Sequence, residues 1–166
     1  MSADPGGARF RRYALPVLLG GLIAGTLDIG AACLLNARSP EIILQAVAGG
    51  VLGKASFRMG IPAAALGLIL QWAMSILIAA IFAAGWSNLS IVRRNWVASG
   101  AAYGVVIFFV MNFVVVPLSA AGFTIKFSAA KFIENMLTMI LFGLIIAFFG
   151  RGSAARAGAA ALNAVD

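Results

Sequence analysis

The sequence predicts an all-α protein: an integral membrane four-helix bundle with a short extra helix, interfacial or re-entrant, between spans 1 and 2. Three observations lead there. The 166 residues are 63% hydrophobic and 10% charged, with a mean hydropathy of +1.04; soluble domains run about 45–50% apolar and about 25% charged. Four apolar runs are each long enough to cross a hydrocarbon slab about 30 Å thick. The basic residues sit at the ends of those runs, where they meet water and lipid headgroups. The length suits one compact unit, residues 13–150, between ends expected to be disordered, 1–12 and 151–166.

Arg9, Arg11 and Arg12 lead into the first apolar run, residues 13–35. A basic patch before an apolar run also fits a signal peptide. This run, however, is long enough to span and contains Asp28, which is out of place in a signal core. Gly30-Ala31-Ala32-Cys33 matches a lipoprotein cleavage box only loosely, with glycine where leucine is expected. A retained first helix is therefore predicted. Ser39-Pro40-Glu41 is a helix start, with a serine N-cap, proline in the first turn and an acid near the positive end of the dipole. The helix it opens, residues 40–53, is too short to cross. Lys54 and Arg58 are expected to mark its return to water.

Pro62 opens span 2, residues 62–85, in which Gln71 is the strongly polar residue. A turn with Arg93 and Arg94 follows, bracketed by Trp86 and Trp96, as indoles favour the headgroup boundary. Span 3, residues 96–118, carries Asn112 and is stopped by Pro117. A loop with Gly122 and Lys126 leads to span 4, residues 129–150, closed by Arg151 and Arg156. With four spans, both termini lie on one side. That side carries Arg9, Arg11, Arg12, Arg93, Arg94, Arg151 and Arg156, against Arg38, Lys54, Arg58, Lys126 and Lys131 opposite. The bias places the termini in the cytoplasm.

The polar residues inside the spans form a pattern. At about 1.5 Å per residue, Asp28 lies about 22 Å in from Tyr13, and Gln71 about 22 Å in from Trp86. Asn112 lies about 24 Å in from Trp96, Asn135 about 24 Å and Glu134 about 26 Å in from Arg151. All four spans thus place a polar group in one layer, with Lys131 one turn beyond Glu134 as the nearest cation. An ionised Asp28 facing lipid costs about 2.5–3.5 kcal/mol, so it is expected to be paired or protonated. Gly21 and Gly25 on span 1, and Gly100 and Gly104 on span 3, have the spacing that lets helices approach closely in lipid. The two stripes are expected to face one another, turning Asp28 and Asn112 inward.

Several functions are disfavoured. The net charge of +7 is explained by the span ends, with the bilayer and anionic lipid headgroups as partners and no nucleic acid. There is no histidine and Cys33 is the single cysteine, so no intrachain disulfide forms and a His/Cys metal or haem site is excluded. Gly49-Gly50 with Gly53 lacks the ending of a phosphate loop. Two carboxyls without a nucleophile motif give no catalytic signature and no cofactor is expected, so an enzyme is not predicted. The expected role is structural or accessory, with a buried interhelical polar layer of Asp28, Gln71, Asn112, Lys131, Glu134 and Asn135, and homo-oligomerisation through the glycine faces. The alternative is a small transporter or channel protomer with a proton or solute site at Asp28 and Glu134.

Two stretches carry a resemblance, Gly21-Leu-Ile-Ala-Gly-Thr-Leu-Asp28 and Met111-Asn-Phe-Val-Val-Val-Pro-Leu-Ser119. They resemble an uncharacterised family of small bacterial four-span inner-membrane proteins, over residues 18–150. The resemblance implies a bacterial inner (cytoplasmic) membrane and a multi-pass chain. It implies no catalytic residue, ligand or partner.

Overall fold

The computed structural model describes residues 5–88, 95–120 and 128–162, with side chains for 14–85, 95–120 and 128–151. Helix α1 spans Pro5–Asn36 and α2 spans Pro40–Leu52, followed by a 3-10 turn, Gly53–Arg58. Helix α3 runs Ile61–Asn88 and α4 runs Trp96–Val110. Beyond α4 come a wider π turn, Met111–Val115, and a last helical turn, Val116–Leu118; α5 spans Ala129–Leu162. Four stretches are long and apolar enough to cross a membrane: Ala14–Asn36, Ile61–Gly85, Trp96–Leu118 and Ala129–Arg151. The chain is an all-α, multi-pass membrane protein.

The helical backbone extends past the expected ends of the unit. Helix α1 starts at Pro5, ahead of Tyr13, and α5 runs through Arg151 to Leu162. The apolar windows nonetheless begin at Ala14 and end at Arg151. Proline suits a first helical turn, and alanine-rich sequence such as residues 154–162 favours helix without apolar burial. Residues 1–4 and 163–166 lie outside the described residues, as do most of the two loops that carry Arg93, Arg94, Gly122 and Lys126.

Several helix ends are explained locally. The Arg38 N–H donates to the Cys33 carbonyl and the Ala37 N–H to Leu34, with Ala37 at φ 48°. That is the Schellman arrangement, here with alanine in the left-handed position that glycine usually takes. Asn95 caps α4 by accepting from the Ala98 N–H, and Ser128 caps α5 by accepting from the Lys131 N–H. Pro117 explains the π turn. It has no N–H and its ring crowds the Phe113 carbonyl, so the preceding turn widens and the Val116 N–H donates to Met111, five residues back.

Helix α5 is the shared partner of α1 and α4; α1 also packs on α3, and α2 packs on α3. The expectation that the two glycine stripes face each other is corrected by this layout. A methyl at Gly21 or Gly25 would strike Ile76 or Ser75 of α3. At Gly100 or Gly104 it would strike Ala147, Gly143, Met139 and Ile140 of α5. The stripes serve two interfaces because each lets the backbone of a different helix approach, at Ile76 on α3 and at Met139, Ile140 and Gly143 on α5. Ala24, Ile78, Ala79, Phe82, Ile107, Phe142, Ile146 and Ala147 fill the core. The C-terminal turn of α2 reaches the segment just after span 3, where the Ala120 N–H donates to the Gly50 carbonyl at 2.9 Å.

Candidate functional site

Helices α1 and α3 run antiparallel, as Gly21 sits against Ile76 and Gly25 against Ser75. That register brings Asp28 level with Gln71, and the Gln71 Nε2 donates to Asp28 Oδ2 at 2.8 Å. One residue further along α3 and two back along α1, the Trp72 indole N–H donates to Thr26 Oγ1 at 3.2 Å, while the Thr26 hydroxyl donates to the Leu22 carbonyl. Gly25 makes this possible by letting Ser75, 2% exposed, lie directly on the α1 backbone. The site is thus a polar rung between spans 1 and 2, with two side-chain bonds within one turn of each other.

The other members of the predicted layer lie elsewhere. The Lys131 ammonium donates to the Leu35 carbonyl at the end of α1 and pairs with Glu134 Oε2 at 3.0 Å. With the Schellman bonds, this satisfies the carbonyls of Cys33, Leu34 and Leu35, which the helix itself leaves open. Asn112 turns back on its own helix, its Nδ2 donating to the Phe108 carbonyl at 2.8 Å. Asn135 makes no side-chain hydrogen bond to the described residues.

Register explains the split. Equal-depth counting pairs Gly20 with Leu144, but the structure sets Gly20 against Phe149. The slip from 144 to 149 moves α5 outward relative to α1 by about 7.5 Å. Helix α4 follows α5, since Gly104 meets Met139 and Ile140, and Phe108 meets Phe132 with ring centroids 5.0 Å apart. Asn112, Lys131, Glu134 and Asn135 therefore gather toward the outer ends of their spans. Asp28 and Gln71 stay deeper. Interpolating between the Gly20–Phe149 and Leu35–Lys131 contacts sets Asp28 opposite Met139–Ile140, about 8 Å along α5 from Glu134.

No family model, curated protein or solved structure matches the chain. The geometry has to speak for itself.

Sequence reasoning missed three contributors: the Thr26–Trp72 bond, buried Ser75, and Tyr103. The Tyr103 hydroxyl donates to the Ile78 carbonyl at 2.8 Å while its ring packs on Phe82, joining α4 to α3. A signal for the first and the last was present. A tryptophan or tyrosine inside a span, away from the headgroup boundary, has a polar N–H or O–H that needs an acceptor in lipid. Ser75 gave no such warning.

Proposed function

We propose that this is a structural or accessory component of the bacterial inner membrane, not an enzyme, with both termini cytoplasmic, whose intramembrane polar groups hold helices together. The observation that carries the reading is the Gln71–Asp28 bond across α1 and α3. The one carboxyl deep in a span is engaged by a neighbouring helix. Two other polar contacts join helices, Trp72 to Thr26 and Lys131 to the end of α1, while Asn112 serves its own helix. Bonds of this kind between transmembrane helices average about 0.6 kcal/mol. They specify which faces meet more than they stabilise the fold. The likeness of the Met111–Ser119 segment to small bacterial inner-membrane proteins supports the location.

The test is reconstitution of the full chain in proteoliposomes. The expected result is no flux above empty liposomes across a broad panel of ions and small solutes, with Asp28→Ala, which removes the acceptor of the Gln71 bond, lowering thermal stability in detergent. A pH-dependent flux that Asp28→Asn abolishes without changing the melting temperature overturns the reading. It would make the protein a small transporter or channel protomer.

A further inference from the structure

We infer that the rim where span 3 begins and span 4 ends holds the phosphate of an anionic phospholipid on Arg151. The two boundaries coincide there: Trp96 opens one apolar window and Arg151 closes the other. The Arg151 guanidinium carbon stands 4.6 Å from the centroid of the Trp96 ring and 4.3 Å from that of Phe148. The rings meet edge-on at 66°, with centroids 6.1 Å apart, and form a two-walled aromatic seat.

A cation held on ring faces loses little further freedom when it binds, and its in-plane N–H donors stay available. Among the described residues no carboxylate pairs with Arg151, and the ion pair they form, Lys131 with Glu134, lies at the other end of span 4. Arg151 is exposed. An unpaired guanidinium at the end of an apolar window lies at headgroup level, where the abundant partner with two matching acceptor oxygens is a phosphodiester. Inorganic phosphate shares that chemistry. The seat favours lipid because its second wall, Phe148, is 49% exposed on the bilayer side of Arg151 and offers apolar surface to an acyl chain. An anionic headgroup is preferred over a zwitterionic one, whose ammonium adds a second positive charge beside the guanidinium.

Native mass spectrometry of the full chain in detergent tests this with added phosphatidylglycerol or phosphatidylcholine. Phosphatidylglycerol is expected to stay bound to the wild type at concentrations where phosphatidylcholine does not. Arg151→Gln is expected to raise the phosphatidylglycerol Kd about fivefold, the factor one basic residue contributes near an anionic surface. Trp96→Leu, which keeps the charge and removes one wall of the seat, is expected to weaken binding as well. Lys54→Gln, at an exposed cation on the 3-10 turn, is expected to leave it unchanged. Millimolar inorganic phosphate is expected not to displace the lipid.

Wild-type affinity in Arg151→Gln overturns the proposal. So does an equal loss in Lys54→Gln, which would mean attraction by overall charge. Displacement by inorganic phosphate would assign the seat to a free anion and reject the lipid. If Arg151→Gln does not purify as a folded protein, unchanged affinity in Trp96→Leu is decisive against the site.

Discussion

Gly143→Ala probes a backbone-to-backbone helix contact in the bundle. Gly143 sits where α5 meets α4 backbone to backbone: a methyl there would fall on the Gly100 carbonyl oxygen and 2.8 Å from the Gly104 Cα. Carbon atoms in contact settle at about 3.5–4.0 Å, so the helices must part by about 1 Å. Every atom in the way is backbone, and no rotamer change relieves the clash. Overpacking of this kind costs about 1–3 kcal/mol. The reciprocal change, Gly104→Ala, would place its methyl 2.7 Å from the Ile140 Cα. One outward shift accommodates both methyls, so the double variant should lose less than the sum of the singles. Thermal unfolding in a fixed detergent reads this out. Gly30→Ala is the control, because a methyl there meets nothing within 4 Å and alanine is the better helix former. If Gly143→Ala melts with or above Gly30→Ala, the backbone contact between α4 and α5 is not what the geometry says.

Three further outcomes follow from single residues. Ala37→Gly should stabilise the protein by about 1 kcal/mol in a melting comparison, because alanine at φ 48° carries a left-handed penalty that glycine lacks. Asn112→Leu should cost under about 1 kcal/mol by the same assay, since the Phe108 carbonyl keeps the Met111 N–H as a donor. Tyr103→Phe should lower stability by about 0.5–1 kcal/mol, through loss of the bond to Ile78 with the ring packing on Phe82 retained.

The elements were legible in the sequence because their signals are local. Pro40 and Glu41 mark the start of α2, although the Ser39 side chain at the N-cap position makes no capping bond, and the apolar runs set the spans to within a few residues. Pro117 was legible as a stop, but not as the cause of a widened turn that begins at Met111. The rung was half legible. Counting residues from the span ends put Asp28 and Gln71 at one height, which holds because α1 and α3 enter the slab in step. The same counting misplaced Asn112 and Asn135 relative to them. Where α5 sits along α1 depends on which small residue meets which large one, Gly20 against Phe149, and that long-range fit leaves no local trace. The partners of the glycine stripes were illegible for the same reason: close spacing says that a face can approach another helix, not which helix it approaches.

The central claim is that Asp28 and Gln71 act on each other. A double-mutant cycle with Asp28→Ala, Gln71→Ala and the double variant, read by unfolding in bicelles, measures that directly. The expected coupling is about 0.6–1.7 kcal/mol, the average and upper values found between transmembrane helices. Additive losses, with coupling indistinguishable from zero, would mean that the two side chains meet without holding α1 to α3, and would contradict it.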